Sequence, residues 1–146
     1  MTRFAGVLAL GAAALFVAGC GGEPRRPVLR LPSKSYEFVI EPSDIPPHAR
    51  ETITYKVTIR DRKTQQPIDN GEGQIFADMG RGMDGPHTWD GFQNGPELGT
   101  YYAKLDFVMA GQWAMAIRFR RDSLHPLERV DWMQDVFNER PDSTPP

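Results

Sequence analysis

Three side chains that can bind a soft metal ion lie close together in the sequence, at Met79, Met83 and His87. Each is separated from the next by three residues, and the segment is rich in glycine. Thioether sulfur and imidazole nitrogen suit Cu(I), and methionine is a useful soft ligand where thiols would be oxidised. The spacing therefore raises the hypothesis of a Cu(I) or other soft-metal site, with Met109 as a candidate fourth ligand.

A second interpretation of the same residues stays open. Met79 and Met109 fall at the ends of predicted strands, where the flexible methionine side chain often fills gaps in a core. His87 would then be an ordinary surface residue. Because no helix fixes these side chains relative to one another, their spacing alone does not choose between the two interpretations.

Residues for nucleophilic catalysis are scarce. Cys20 is the only cysteine, and no Gly-x-Ser-x-Gly nucleophile motif occurs. Asp84 and Asp90 flank His87, but no nucleophile accompanies this pairing. The chain carries 17 Lys and Arg against 19 Asp and Glu, a balance that argues against a nucleic-acid-binding surface. The sequence therefore predicts a binding protein that is not an enzyme and has no nucleic-acid partner.

The N-terminal segment has the organisation of a bacterial lipoprotein signal. Arg3 precedes an uncharged apolar run over residues 4–17, which is shorter than the about 20 apolar residues that span a membrane. The sequence Val-Ala-Gly-Cys that ends at Cys20 resembles a lipobox. This resemblance implies cleavage before Cys20, its lipidation, and attachment to a bacterial membrane. We therefore predict a lipoprotein signal peptide over residues 1–19 and a cell-envelope location outside the cytoplasm.

Three segments are predicted to follow the signal peptide. Residues 20–35 contain the lipidated cysteine and a flexible tether rich in Gly and Pro, and residues 36–121 form the folded domain. Residues 122–146 are predicted as a short C-terminal helix and a disordered tail. The helix is predicted from apolar residues that recur at helical spacing: Leu127, Val130, Met133 and Phe137.

Alternation of apolar and polar residues predicts the strands of the domain. Residues 51–60, 100–109 and 112–121 show it most clearly, and such alternation is typical of half-buried strands. Ala110-Gly111 joins the last two segments, which predicts a hairpin. With two further short strands, at 36–40 and 71–79, the pattern predicts an all-β protein with a small immunoglobulin-like β-sandwich.

Residues 80–99 are predicted to form a long loop, and loops of this length inside a compact domain are usually functional. Trp89 and Phe92 lie in this loop, and Trp132 and Met133 lie near the C-terminus. These four side chains form either an apolar patch for a partner or the closing layer at one end of the sandwich.

Several short patterns are shared with a known domain family. They are Val57-Thr58-Ile59-Arg60-Asp61 with Gln66-Pro67-Ile68, Met79 with Met83 and His87, Gly99-x-Tyr101, and Met109-x-Gly111-x-Trp113. On these patterns, residues 52–119 resemble the YtkA-like domain, which also occurs in FixH-like proteins. The resemblance implies an immunoglobulin-like sandwich outside the cytoplasm, near copper handling or cytochrome oxidase assembly, with no established catalytic activity. It also implies structural roles, as turn glycines and core aromatic residues, for Gly99, Tyr101, Gly111 and Trp113.

Together these patterns predict a membrane-anchored envelope lipoprotein with a non-catalytic YtkA-like binding domain. Copper or soft-metal handling is the sharpest hypothesis, with Cu(I) bound by Met79, Met83, His87 and Met109. The alternative is a protein–protein interaction module without a metal role, which docks another envelope protein through residues 80–99 and the C-terminal helix.

Overall fold

The computed structural model describes residues 27–80 and 85–141, so the predicted signal peptide, Cys20 and Met83 lie outside the described part of the chain. The described residues form nine strands: β1 Leu29–Pro32, β2 Tyr36–Pro42, β3 Thr52–Asp61, β4 Glu72–Asp78, β5 His87–Gly91, β6 Gln93–Asn94, β7 Thr100–Asp106, β8 Gly111–Arg120 and β9 Glu128–Val136. Within these ranges no helix is long and apolar enough to cross a membrane.

The strands form two antiparallel sheets. The five-stranded sheet has the order β1-β2-β3-β7-β6, and the four-stranded sheet has the order β5-β4-β8-β9. The prediction of an all-β protein is therefore confirmed, and the two sheets are consistent with a β-sandwich.

The inner faces of the two sheets supply one hydrophobic core, because alternation turns every second side chain inwards. The inward residues of β3 are at most 1% exposed: Ile53, Tyr55, Val57 and Ile59. Those of β8 are equally buried: Trp113, Met115, Ile117 and Phe119. Each large apolar side chain buried in this way contributes roughly 1.5–3 kcal/mol to stability. The strands predicted from alternation are thus the strands that hold the domain together.

Phe119 lies at the centre of an aromatic cluster that joins the two sheets. Its ring centroid is 5.2 Å from that of Tyr36, 6.1 Å from that of Phe38 and 5.4 Å from that of Tyr101. All three partners belong to the five-stranded sheet, and all three contacts are edge-to-face, a geometry that adds about 0.5–1.5 kcal/mol per pair. A Cβ atom on Gly73 would lie 2.9 Å from the Phe119 ring, so the ring occupies the space that a larger residue would need.

The predicted C-terminal helix is wrong, because residues 128–136 form β9 and pair with β8 along the whole strand. Apolar residues recur in this segment at two different spacings, one that fits a strand and one that fits a helix. The residues at strand spacing are buried or pack against the core: Val130, Trp132 and Val136. The residues that complete the helical pattern are exposed: Leu127, Met133 and Phe137. Pairing with β8 buries the first set, and this tertiary interaction decides between two local patterns of similar strength.

The predicted hairpin between residues 100–109 and 112–121 is also wrong. β7 pairs with β3 and β6 in the five-stranded sheet, whereas β8 pairs with β4 and β9 in the four-stranded sheet. Residues 107–110 therefore carry the chain across the core. A short connection can join strands within one sheet or between two sheets, and local sequence does not distinguish these cases.

Two segments predicted to be irregular contain strands. Within the predicted loop 80–99, β5 pairs with β4 and β6 pairs with β7. Within the predicted tether 20–35, β1 pairs with β2, and Leu31 packs against the core. Proline and glycine suggested irregular backbone in both segments. All three strands lie at sheet edges, where one side needs no ladder hydrogen bonds and such residues are tolerated.

The aromatic cluster predicts a large asymmetry between two phenylalanines. Replacing the fully buried Phe119 (F119A) is expected to lower the free energy of unfolding by about 3–5 kcal/mol, because it removes core contacts from both sheets. Replacing Phe137 (F137A), whose side chain is 52% exposed, is expected to lower it by less than about 1 kcal/mol. Urea unfolding followed by circular dichroism measures both values. Equal losses would contradict the central role of Phe119.

Candidate functional site

Met79 follows β4 and faces the interior of the domain. In β4, Ala77 is buried and the next residue, Asp78, lies on the outer face, so alternation turns Met79 back towards the core. Met79 packs against the hydrophobic core, and its Cε atom lies 2.6 Å from the position that a Cβ atom on Gly111 would take. The thioether therefore packs where the chain crosses between the sheets.

His87 lies on the opposite face of the same sheet. It begins β5 directly across from Asp78, and cross-strand partners project to the same side of a sheet. The imidazole is exposed, and its Nδ1 atom lies 3.3 Å from the carbonyl oxygen of Gly85. Because Met79 points inwards and His87 points outwards, the structure does not bring these two predicted ligands together.

The remaining two predicted ligands are Met83 and Met109. Met83 lies outside the described residues. Met109 lies in the connection between β7 and β8 with its side chain half exposed, and its carbonyl oxygen accepts a hydrogen bond from the Trp113 indole nitrogen at 3.2 Å. The Cu(I) site therefore stays a hypothesis, and the positions of Met79 and His87 do not favour it.

The four residues with implied structural roles are Gly99, Tyr101, Gly111 and Trp113. Gly99 has a φ of 71°, and a Cβ atom there would lie 2.7 Å from the Cβ atom of Pro67. The fully buried Tyr101 donates a hydrogen bond from its hydroxyl to the Ile68 carbonyl at 2.5 Å and accepts one from the Gly71 amide at 3.0 Å. Every polar contact of this tyrosine is thus used to hold the connection after β3 against the core.

The four residues of the predicted apolar patch divide between two locations. Phe92 and Trp132 pack against the core, and the Phe92 ring stacks on Tyr101 with centroids 5.6 Å apart. Trp89 and Met133 instead face solvent and are 60% and 55% exposed. Two members of the set therefore belong to the core, and the other two are exposed on the surface.

Trp89 lines a hollow on the outer face of the four-stranded sheet, and Met133 lies next to Ala114, which also lines it. Ala114 and Ala116 of β8 project outwards between the larger residues of the neighbouring strands. Phe76 on β4 lies across from Ala116 and Trp89, and Met133 on β9 lies across from Ala114. The resulting outer hollow has a volume of about 260 Å³. Small residues on the central strand flanked by large ones on its neighbours create a depression that an apolar side chain can enter.

Charged side chains also line the outer hollow: Arg118, Arg129 and Asp78. The Arg118 guanidinium lies 5.1 Å from the centroid of the Phe76 ring, a cation–π contact. Across the β8–β9 ladder from Arg118, Arg129 forms an ion pair with Asp131 at 2.6 Å. The hydrogen bond that Arg129 donates to the Asp131 carboxylate raises the pKa of Arg129. Arg129 therefore keeps its charge at physiological pH.

Sequence reasoning missed a polar cluster formed by Asp44, His48, Glu51 and Arg140. The ligand atoms of the first three lie within 4.8 Å of one another. The Arg140 Nε atom is 3.2 Å from Glu51 and 3.3 Å from the Nδ1 atom of His48, and its guanidinium also contacts Asp44. A guanidinium at this position supplies the positive charge that a cation would bring, so the cluster holds the C-terminal segment against the connection between β2 and β3.

The sequence brings only part of this cluster together. Asp44, His48 and Glu51 fall within eight residues, whereas Arg140 lies 96 residues from Asp44. The chain matches no family model, no curated protein and no solved structure. The YtkA-like resemblance therefore stays a prediction, and the geometry of the outer face is the main guide to function.

Because Met79 and His87 point in opposite directions, we predict that replacing one side chain affects stability independently of replacing the other. Replacing Met79 (M79A) is expected to lower the free energy of unfolding by about 1–3 kcal/mol, because core contacts of a half-buried methionine are lost. Replacing His87 (H87A) is expected to change it by no more than about 0.5 kcal/mol. Urea unfolding measures both effects. In a parallel Cu(I) competition titration, a fall in affinity for both variants would show that the two side chains share a metal after all.

Proposed function

We propose that this chain is a lipid-anchored, non-catalytic binding domain of the bacterial cell envelope, which docks a second envelope protein on the outer face of its four-stranded sheet. The observation that carries the proposal is the exposure of two large apolar side chains on this face, Trp89 in the wall of the outer hollow and Met133 next to its floor residue Ala114. Clustered large apolar side chains on one surface are typical of sites that a partner covers.

The chemistry of the outer face defines the partner. Tryptophan, methionine and arginine are enriched in protein interfaces, and a few such residues supply most of the binding energy. The alanine floor of the outer hollow accepts one protruding apolar side chain. Arg118 beside it favours a carboxylate on the partner. We therefore expect the partner surface to present an apolar residue next to an acidic one.

The finer fold assignment and the metal hypothesis belong to the same proposal. An immunoglobulin-like sandwich of the YtkA-like kind is supported by the buried Tyr101 and Trp113 of the shared patterns. Protein docking is favoured over Cu(I) handling because Met79 and His87 lie on opposite faces of the sheet. The soft-metal function is thus the weaker of the two candidates that the sequence raised.

Membrane attachment is predicted to depend on one atom, the sulfur of Cys20. The full chain expressed in a bacterium is expected to stay with the membrane after an alkaline wash and to incorporate an alkyne-tagged fatty acid, because acyl chains anchor by about 0.8 kcal/mol per buried methylene. Replacing Cys20 by serine (C20S) is expected to abolish the label. Labelling of the serine variant to the normal extent would exclude lipidation at this residue.

The docking surface is predicted to produce one specific cross-link in cells. Photoreactive p-benzoylphenylalanine in place of Trp89 is expected to yield an adduct of discrete size. The substitution M133D is expected to reduce this adduct about tenfold, because a carboxylate would be buried in an apolar contact.

The matched control places the same photoreactive residue at Leu124, which is 91% exposed in the connection between β8 and β9. This position lies outside the outer hollow and is expected to give no adduct of that size. An identical adduct from Leu124, or an adduct from position 89 that M133D leaves unchanged, would contradict docking on the outer face.

A further inference from the structure

Large apolar side chains are exposed at one end of the two sheets. Val108 and Met109 lie in the connection between β7 and β8 and are 61% and 48% exposed. Phe137 directly follows β9, Ile45 lies in the connection between β2 and β3, and both are also exposed. These four residues, here called the apolar tip, come from three separate segments of the chain. Their shared exposure is therefore a property of the fold and not of one loop.

Backbone hydrogen bonds hold the three segments of the apolar tip together. The Arg50 amide donates to the Phe107 carbonyl at 2.7 Å. The Phe137 amide donates to the Pro47 carbonyl, and the Ala49 amide donates to the Phe137 carbonyl, both at 2.9 Å. The connection between β2 and β3 thus ties the β7–β8 connection to the end of β9, and the tip is a preformed surface.

The described chain begins at the same end of the sheets. Its first residue, Pro27, lines a hollow together with Pro42 and Ile45. From there β1 runs antiparallel to β2, which ends at Pro42, so β1 leads away from the apolar tip. Pro27 therefore marks the end of the domain at which the residues that precede it are joined.

The length of chain between Cys20 and Pro27 limits how a lipid-anchored domain can face its membrane. Six residues separate the two positions, so the chain between them reaches at most about 25 Å. From Pro27 along β1 to the turn at residues 33–35, at the opposite end, the distance is about 23 Å at about 3.3 Å per residue. The opposite end could face the membrane only if residues 20–27 ran fully extended along the domain. The short spacing therefore favours an orientation with the apolar tip towards the lipid.

Charged groups near the apolar tip are compatible with a lipid surface. Arg140 contacts Asp44 and lies 3.2 Å from Glu51, and Arg50 lies 3.3 Å from Glu139. The carboxylates of these three acidic residues thus each have a cationic partner. Because the two signs are paired, this part of the surface does not strongly repel the anionic headgroups of a bacterial membrane.

We propose that the apolar tip inserts into the lipid bilayer to which Cys20 is attached, an inference that rests on the lipid anchor of the proposed function. Val108 and Met109 enter deepest, to the boundary between headgroups and acyl chains, about 5–10 Å below the surface. The exposed Asp106, which accepts a hydrogen bond from the Thr52 hydroxyl at 2.6 Å, stays among the headgroups because burying a carboxylate is costly. The strands then lead away from the membrane, and the outer hollow stays accessible to a partner.

The test measures which end of the domain contacts lipid. Cys20 is the only cysteine and its sulfur carries the lipid, so a cysteine introduced at Val108 (V108C) is the only thiol that a fluorophore can label. The lipidated full chain is reconstituted in vesicles of phosphatidylethanolamine with one third phosphatidylglycerol, some of which carry a spin label on the acyl chain. The fluorophore at position 108 is expected to lose about half of its emission, because it lies about 5–10 Å deep.

The matched control is the same fluorophore at Leu124 (L124C), which is exposed at the opposite end of the sheets and is expected to keep its emission. A second label at Phe137 (F137C) is expected to be quenched like the label at position 108. Adding V108D and M109D to F137C is expected to reduce this quenching about fivefold, because carboxylates are costly among acyl chains. Since both replaced side chains are exposed, the circular dichroism spectrum is expected to be unchanged.

Flotation of the labelled protein with the vesicles tests the anchor separately. Protein that does not float lacks the anchor, and the proposed function then fails together with this inference. Protein that floats without quenching at position 108 overturns this inference alone. Equal quenching at positions 108 and 124 would also overturn it, because the domain would then have no preferred end towards the membrane. Protection of position 108 from an aqueous quencher, without quenching from the lipid, would show that protein covers the tip instead.

Discussion

The packing of Phe119 between the two sheets is the contact on which the rest of the structure depends. Its ring meets side chains from β2 and β7, while its own strand occupies the interior of the four-stranded sheet. Once this ring is inside, alternation along β8 places Trp113, Met115 and Ile117 inside as well and turns the residues between them outwards. A shift of one residue would exchange the two sets, so the register is strongly specified.

Pairing with β8 fixes which residues of the neighbouring strands face outwards, and this decides on which face each candidate functional group lies. Asp78, His87 and Met133 reach the outer face because each is paired, directly or through one strand, with an outward residue of β8. Met79 follows Asp78 by one residue and is turned inwards. The alternation that builds the core therefore also places the charged and exposed groups on one side of the sheet and the uncharged ones on the other.

Sequence reasoning predicted the fold where a single local pattern was strong and failed where the answer depended on distant residues. β3 and β8 alternate over their whole lengths and were correctly predicted. Residues 128–136 fit a helix and a strand equally well, and only pairing with β8 decides between them. In the candidate metal loop, His87 pairs with Asp78 and not with Met79. Which residue of β4 pairs with His87 is set by the register of the β4–β5 ladder, and the spacing of residues in the sequence does not reveal this register.

Two tyrosines on the inner face of the five-stranded sheet differ in how their buried hydroxyls are satisfied. Tyr101 and Tyr55 lie on adjacent strands, and both are fully buried. The hydroxyl of Tyr101 lies beside the aromatic cluster, where the Ile68 carbonyl and the Gly71 amide satisfy it. The hydroxyl of Tyr55 is also buried, and the described residues provide no hydrogen-bond partner for it. Because burial and residue type are the same in both cases, the difference lies in the surroundings: a connection of the chain reaches the Tyr101 hydroxyl, and no described residue does the same for the Tyr55 hydroxyl.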